Sequence, residues 1–540
     1  MIRKLFGMSI QKQNIMKANK TIIGVCCAVL AIIWGILAAK TFNPKPDLNG
    51  DNFSYYIYAS SLATGHGYSD LSTPDMRPTS SFPPGYPLLM MPLRVVTESI
   101  EAQKWLNELF VLGGILLIFF TLLQLGFRWD ISLVAAAAGL FSPRLWHFST
   151  MMMSEASFFF TSAFVFYALA RYLSAENKDE RWWADVKSPW LWVMIVFLVL
   201  NYHVRTQGLA LVAGVGLLLL VQRRWIGLGT TIVGFIAGCL PYMIRNKVLG
   251  LNGNRYLDTI TMSNPWQPDA GSLTFMEVIE RFFGTLKMLV FNAIPNTIFP
   301  YLDVNCDQPE YGFWIYVLGV LLIAVILIGY WSMGKLRWGM IGYLAATLGL
   351  ISIFSTPSGN RYITSILPLL AAGLFCGIWQ IAEWILVKHS KWLFTGCALV
   401  LCLLFIPSKE GIQSEIKQSK QKYPTQYVQF FNMAKQMKKS AQKGSIVCSR
   451  KPQMFWMYSQ LPGVNYKYTK DAKELILDLV EKKVDYVVLD NLGYSSTYLY
   501  LYPALQQYPQ FFPQAVIYYE NTHQYMLVFD RERATRELHD

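Results

Sequence analysis

The chain has 540 residues, of which 53% are hydrophobic and only 15% are charged, against about 25% charged in an ordinary soluble domain. This composition excludes a typical soluble protein and indicates that lipid is part of the solvent. The net charge of +13 does not indicate nucleic-acid binding, because the basic residues form short clusters between apolar stretches and are not interleaved with aromatic residues.

Apolar stretches predict about eleven transmembrane helices, since a helix needs about 20 residues to cross a hydrocarbon layer of ~30 Å. They lie near residues 21–40, 105–125, 131–147, 155–173, 190–203, 207–221, 226–243, 312–331, 338–354, 363–386 and 391–406. Alternating these spans puts the basic N-terminus, Arg128, the Arg223-Arg224 pair and Lys388 on one side. Because cytoplasmic loops carry excess Lys and Arg, the N-terminus is predicted to be cytoplasmic, with the first span retained as an anchor.

The opposite face then receives a first loop at residues 42–104, a second loop at 244–312 and the tail. We therefore predict a transmembrane domain over residues 1–406 and an extracytoplasmic domain over residues 407–540. The tail begins with a basic, Gln-rich stretch, EIKQSKQKYPTQ, which is predicted to be a linker. Helical patterns then alternate with β-branched runs, which predicts a small α/β domain. The helical patterns cover residues 424–439 and 471–482, and the strand-like runs cover 445–449, 484–490, 515–519 and 524–529.

Polar residues that could carry chemistry gather on the loop side of the spans. Asp51 follows the first span, and Tyr55, Tyr58, Ala59 and Leu62 after it have the spacing of a short amphipathic helix lying on the membrane surface. Asp51 would be at the N-terminus of that helix, as a cap or as a functional carboxylate.

A rigid turn follows in the same loop at PPGYPLL, residues 83–89. Pro83 and Pro84 stop any helix there, and the turn either returns the chain to the membrane or places Arg77 and Tyr86 near Asp51. Among the later spans, Glu155 starts the fourth. Because an acid at a membrane interface is costly unless it has a partner or a task, Glu155 is a candidate functional residue.

Arg205 and Arg361 also stand at external span ends. Each could anchor its helix at the interface or bind an anion.

These elements together resemble the GT-C membrane glycosyltransferases, in particular the branch of bacterial protein O-mannosyltransferases and the lipid A aminoarabinose transferase. The resemblance covers residues 51–368 and consists of five ordered elements. They are the YxxYAxxLxxGxGY pattern after Asp51, PPGYPLL, SEA at residues 154–156, Arg205 with Gly208, and Arg361-Tyr362 with Pro368. Many relatives carry an Asp-Glu pair after the first span, whereas Asn52 follows Asp51 here, so a metal role for that pair does not carry over directly.

The resemblance implies transfer of a sugar from a polyprenyl-phosphate donor to an acceptor protein, lipid or glycan at the extracytoplasmic face, with inversion. It also implies a bacterial inner membrane, with the C-terminal domain in the periplasm. Asp51 would be the general base, with Glu155 orienting the acceptor or a cation, although the two roles could be exchanged. The other candidate residues fall into two sets. Arg77, Arg205, Arg245 and Arg361 would bind the donor phosphate, and Tyr55, His66, Tyr86 and Tyr362 would position substrate.

No metal site is predicted with certainty, but His66 could join Asp51 and Glu155 around a divalent cation. Three alternatives to the transferase remain open from the sequence. They are a transporter or flippase of lipid-linked sugars, a non-catalytic assembly protein, and a ligase or polymerase that uses lipid-linked oligosaccharide. A transporter is expected to have broken helices with charges near the bilayer midplane, whereas the polar residues here gather at one face.

Overall fold

The computed structural model describes residues 19–48, 50–174, 183, 185–251, 260–263, 271–299, 302, 312–354, 359–385 and 409–539. These residues form two compact units. The membrane unit takes the described parts of residues 1–44, 80–86 and 104–419, and the C-terminal unit takes those of residues 45–79, 87–103 and 420–540. The domain boundaries predicted from the sequence stay predictions. In the structure, part of the first loop belongs to the C-terminal unit.

The α-helices are numbered in chain order. They are α1 (Lys20–Thr41), α2 (Gly50–Ala63), α3 (Gly85–Val96), α4 (Ile100–Gln124), α5 (Trp129–Ala138), α6 (Pro143–Ser149), α7 (Glu155–Ser174), α8 (Pro189–Val204), α9 (Leu209–Val221), α10 (Trp225–Val248), α11 (Phe275–Met288), α12 (Ile294–Ile298), α13 (Gly312–Ser332), α14 (Arg337–Ile353), α15 (Gly359–Thr364), α16 (Leu367–Ile385), α17 (Lys409–Lys420), α18 (Thr425–Ser440), α19 (Pro452–Ser459), α20 (Ala472–Glu481), α21 (Tyr502–Gln507) and α22 (Arg531–His539). The strands are β1 (Val447–Cys448), β2 (Gly463–Val464), β3 (Tyr486–Leu489), β4 (Ala515–Tyr519) and β5 (Gln524–Val528).

The chain is a polytopic helical membrane protein, as predicted. Among the described residues, seven helices are long and apolar enough to cross a bilayer: α1, α4, α7, α10, α13, α16 and the stretch Gly334–Ile353 that includes α14. The predicted spans near 131–147, 190–203 and 207–221 correspond to shorter apolar helices, and the span at 391–406 lies outside the described residues.

Glycines allow close packing inside the membrane unit. A Cβ at Gly329 in α13 would lie 1.8 Å from the carbonyl oxygen of Gly373 in α16 and 2.7 Å from the nitrogen of Gly377. Any larger side chain would therefore separate the two helices. In lipid the hydrophobic effect does not drive helices together, so their association depends on close van der Waals packing. Small residues at helix contacts allow that packing.

The C-terminal unit is built on a five-stranded sheet in the order β2-β1-β3-β5-β4, so the predicted α/β domain is confirmed. β1 pairs in parallel with β2 and β3, whereas β5 pairs antiparallel with β3 and β4. Successive strand residues point to opposite faces: Val487 packs with α20 residues such as Leu475, while Val488 packs in the other core with Phe430 and Phe455.

Two local predictions were wrong. The helix after Asp51 does not lie with one face on a membrane surface, because residues 52–61 are all buried. The span near 131–147 breaks into α5 and α6, since Pro143 lacks an amide hydrogen and starts a new helix. The Gln-rich linker stays a prediction: α17 ends within this stretch at Lys420, and α18 begins at Thr425.

Candidate functional site

Glu155, the first residue of α7, is the centre of the candidate site, and only 2% of it is exposed. Its Oε1 accepts a hydrogen bond from Arg205 Nη1 at 2.8 Å and another from Arg361 Nε at 2.6 Å. Its Oε2 is buried and accepts no hydrogen bond from the described residues. A carboxylate can be buried in this way only with close opposite charges, and the three side chains together carry a net positive charge.

Three helix ends bring this cluster together. Glu155 starts α7, Arg205 directly follows α8 as its C-cap, and Arg361 lies in α15, the short helix before α16. The sequence predicts that all three residues face the same side, and the two ion pairs agree with that prediction.

Ser154 and Tyr362 orient the arginine fork. Arg205 Nη1 also donates to Ser154 Oγ at 3.1 Å, and Arg205 Cζ lies 5.3 Å from the centre of the Tyr362 ring. Stacking on an aromatic ring suits the planar guanidinium and restricts its rotation. The structure therefore places Tyr362, a predicted substrate-positioning residue, against Arg205.

A buried hydrogen-bond chain connects the PPGYPLL turn to the segment before Glu155. Tyr86 is fully buried, and its hydroxyl donates to Asn107 Oδ1 at 3.0 Å. Asn107 Nδ2 in turn donates to the carbonyl oxygens of Met151 and Met153. Tyr86 is thus a buried support for the Met151–Met153 backbone.

Gly85 packs directly against the end of α8. A Cβ at this position would lie 2.5 Å from the carbonyl carbon of His203 and 2.5 Å from the nitrogen of Val204. Since real Cβ atoms do not approach backbone so closely, a side chain here would displace the two residues that precede Arg205. The PPGYPLL turn therefore needs a glycine at this position so that it can pack against the backbone of α8, a requirement that the sequence alone does not reveal.

Two other predicted phosphate ligands have local partners. Arg245, near the end of α10, donates from Nη1 to Asn246 Oδ1 at 2.8 Å, and its Cζ lies 6.0 Å from the centre of the Tyr242 ring. Arg77 belongs to the C-terminal unit, where it pairs with Asp75 at 3.1 Å while both side chains are 68% exposed.

The remaining candidates also lie in the C-terminal unit. Asp51 is in the first turn of α2, as predicted, and Tyr55 on the same helix is buried. His66 is exposed, and its Nδ1 is 2.9 Å from Thr64 Oγ1.

The divalent cation that the sequence left open does not fit the surroundings of Glu155. Glu155 already accepts hydrogen bonds from two guanidinium groups, so its neighbourhood favours an anion over a third cation. In the part of the chain that the structure describes, no group of three or more His, Cys, Asp or Glu side chains could hold a metal ion.

Several residues escaped the sequence analysis. Lys104, Asn107 and Glu108 of α4 are all buried, and Ser149 Oγ donates to Glu108 Oε1 at 3.0 Å. The three residues are three, one and four positions apart along a largely apolar span, so they lie on one face of the helix. This spacing could have predicted a buried polar face. Lys451 in the C-terminal unit was also missed, because contacts between distant segments leave no local pattern.

Solved structures provide the comparison with known proteins. ArnT from Cupriavidus metallidurans bound to undecaprenyl phosphate matches with a TM-score of 0.54 and 13% identity, over 95% of this chain and 98% of that one. The oligosaccharyltransferase AglB from Archaeoglobus fulgidus, in complex with an inhibitory peptide and a dolichol-phosphate, matches with a TM-score of 0.54 and 11% identity, over 92% and 74% of the two chains. The apo form of the same oligosaccharyltransferase matches with a TM-score of 0.57 and 10% identity, over 94% of this chain and 74% of that one.

No described protein family and no curated protein matches the sequence. At identities of 10–13% the matches establish the fold alone. They cover 92–95% of this chain. The fold of this chain is therefore the GT-C fold of polytopic membrane proteins.

Proposed function

We propose that the chain is a membrane glycosyltransferase that moves a sugar from a polyprenyl-phosphate donor to an acceptor at the extracytoplasmic face. The observation that carries this proposal is the buried cluster of Glu155, Arg205 and Arg361 at three helix ends. A lipid-linked phosphate needs cations beside apolar helices, and guanidinium groups bind phosphate oxygens bidentately. The similar ArnT structure contains undecaprenyl phosphate and the similar AglB structure a dolichol-phosphate, which agrees with a donor of that class.

In the proposed reaction the acceptor hydroxyl or amine attacks the anomeric carbon of the donor sugar. The bond from that carbon to the phosphate oxygen breaks, the lipid phosphate leaves with the bonding electrons, and the acceptor proton passes to a carboxylate base. One displacement inverts the anomeric centre. Asp51 is proposed as the base, a role that typically contributes about 10²- to 10⁴-fold.

Arg205 and Arg361 are proposed to stabilise the charge that develops on the leaving phosphate. Glu155 is then a positioning residue, because its Oε1 fixes both guanidinium groups. Its unpaired Oε2 could accept a hydrogen bond from the acceptor, which keeps the exchange of roles with Asp51 open to test. Arg77 and Arg245 remain weaker proposals for the phosphate.

The test is transfer of radiolabelled sugar from a panel of polyprenyl-phosphate sugars by the purified full chain in nanodiscs. Wild type is compared with Asp51→Asn, Glu155→Gln and Arg205→Lys. Arg128→Lys is the matched control, because Arg128 also pairs with an acid, Asp130, at 2.6 Å but is more exposed. We expect transfer by wild type and the control, and a loss of about 100-fold or more in Asp51→Asn.

A wild type that consumes no donor in the panel would overturn the transferase. A protein that moves the intact donor across the bilayer without cleaving it would instead be a flippase. Full activity in Asp51→Asn would reject that base while leaving the reaction class intact.

A further inference from the structure

Residues 45–79 of the first loop are an integral part of the C-terminal unit. Phe53, which is fully buried, packs in one core with Phe430, Met454 and Phe455. Hydrogen bonds within the unit also connect residues 45–79 to the part of the chain after residue 420. Tyr423 Oη donates to the Pro46 carbonyl at 2.5 Å, Gln453 Nε2 to Asp70 Oδ2 at 3.2 Å, and the Gly463 amide to the Ser72 carbonyl at 2.7 Å. The helix that carries Asp51 is therefore positioned by the C-terminal domain.

Charged residues gather in this unit where parallel strands end. Arg450 and Lys451 come two and three residues after β1, and Asp490 directly follows β3. The chain goes from β1 to β2 on one side of β1 and then to β3 on the other. The carboxyl ends of β1 and β3 thus form the topological switch point, where α/β sheets commonly place functional side chains.

Aromatic rings and a hydroxyl fix the two cations. Arg450 Nε donates to Ser496 Oγ at 2.7 Å, and its Cζ lies 4.9 Å from the centre of the Tyr494 ring. Lys451 Nζ lies 4.6 Å from the centre of the same ring. Cation–π contacts of this kind restrict an otherwise flexible lysine.

Phe53, two residues after Asp51, and Met454, three residues after Lys451, lie in one core of the C-terminal unit, which brings the starts of α2 and α19 together. Burial and the neighbouring Arg450 charge lower the pKa of Lys451 to about 8, while Asp51 and Asp490 oppose that shift. Asp51 is separated from Lys451 by 400 residues of sequence but belongs to the same unit, where α2 packs against α19, the helix that Lys451 precedes.

We propose that Lys451 is a positioning residue for Asp51, supplied by the C-terminal domain and held in place by Arg450, Tyr494 and Asp490. Its ammonium group would fix the orientation of the Asp51 carboxylate by donating a hydrogen bond to it. The C-terminal domain would then support catalysis directly. The role of Asp51 as base rests on the proposed function, whereas the pairing of the two residues does not.

The pairing can be tested without any transfer activity. Lysines of the full chain are ¹³C-dimethylated, the Lys451 resonance is assigned with Lys451→Arg, and the pH titration is followed by NMR. In Asp51→Asn the pKa of Lys451 should fall below its wild-type value of about 8, because the charge that favours the ammonium is gone. Asp75→Asn, which removes an exposed acid of the same loop, should leave it unchanged. An identical titration in wild type and Asp51→Asn would overturn the proposal.

The effect on the reaction is tested with Lys451→Met and Lys451→Arg. Lys451→Met should lower kcat by up to about 100-fold with a smaller change in donor KM. Lys451→Arg, which keeps the positive charge, should restore most of the lost kcat. Lys435→Met is the control, because this exposed lysine also lies over a tyrosine ring, at 5.4 Å from Tyr458.

A loss of kcat that Lys451→Arg does not restore, or an equally large rise in donor KM, would mean a merely structural role and overturn the proposal. If wild type transfers no sugar, the proposed function fails, whereas the NMR titration still decides whether Lys451 and Asp51 are paired.

Discussion

Among the described residues, each unit contains a carboxylate that is buried near two cations, Glu155 in the membrane unit and Asp490 in the C-terminal unit. Both acids are 2% exposed. Glu155 accepts directly from Arg205 and Arg361 at 2.8 and 2.6 Å. Asp490 Oδ1 accepts instead from neutral groups, the Leu492 amide at 3.2 Å and Thr497 Oγ1 at 3.4 Å.

Two cations, Arg450 and Lys451, lie near Asp490, and both are placed over a tyrosine ring. As a result, burial raises the pKa of Asp490 to about 6, although hydrogen bonds and both cations oppose the rise. The comparison teaches that the number of neighbouring cations does not decide how a buried acid behaves. Direct ion pairs hold the Glu155 carboxylate against two opposite charges, whereas a buried acid without such pairs, Asp490, titrates near neutral pH.

The largest expected effect comes from breaking a direct ion pair. Arg205→Met leaves Glu155 buried with one of its two arginines, and should lower the free energy of unfolding by about 3–5 kcal/mol. Arg128→Met, at a partly exposed pair, should cost about 0–1 kcal/mol. Unfolding by SDS titration measures both. Equal costs in the two variants would erase the distinction between buried and exposed pairs in this protein.

An intermediate effect is expected from the pH dependence of the C-terminal unit. Because folding raises the pKa of Asp490 to about 6, the folded state binds the extra proton, and its stability falls as pH rises from about 4 through 6. The loss is about 2–3 kcal/mol. Asp490→Asn should lack this loss, and hydrogen exchange of β3 peptides at several pH values measures it. Asp75→Asn should keep the wild-type dependence of stability on pH. If Asp490→Asn shows that same dependence, another group is responsible for it.

A smaller effect is expected at Gly85, which contacts the end of α8. Gly85→Ala introduces a methyl group 2.5 Å from backbone atoms of His203 and Val204, and should destabilise the membrane unit by about 1–3 kcal/mol. Gly24→Ala in α1, where nothing lies within 4 Å of the new Cβ, should be neutral or slightly stabilising. Thermal unfolding in detergent compares the two, and a neutral Gly85→Ala would mean that the end of α8 can move freely.

The sequence was sufficient to predict features with a local pattern. Apolar length predicted the spans, and alternation in the tail predicted four of the five described strands. Interfacial position singled out Glu155, Arg205 and Arg361. The sequence could not predict that Phe53 packs beside Phe455 or that Tyr86 supports Met153, because such contacts join segments far apart in the chain. β2 was missed because two residues, Gly463 and Val464, carry no periodicity.

The central claim is that Arg205 and Arg361 bind the donor phosphate, and ³¹P NMR of undecaprenyl phosphate titrated into the nanodisc-embedded chain tests it most directly. The variant with both Arg205→Lys and Arg361→Lys should bind about 10- to 100-fold more weakly than wild type, because lysine keeps the charge but loses the bidentate fork. Arg128→Lys should bind as wild type does. Equal affinity in all three proteins would contradict the assignment of the phosphate to this cluster.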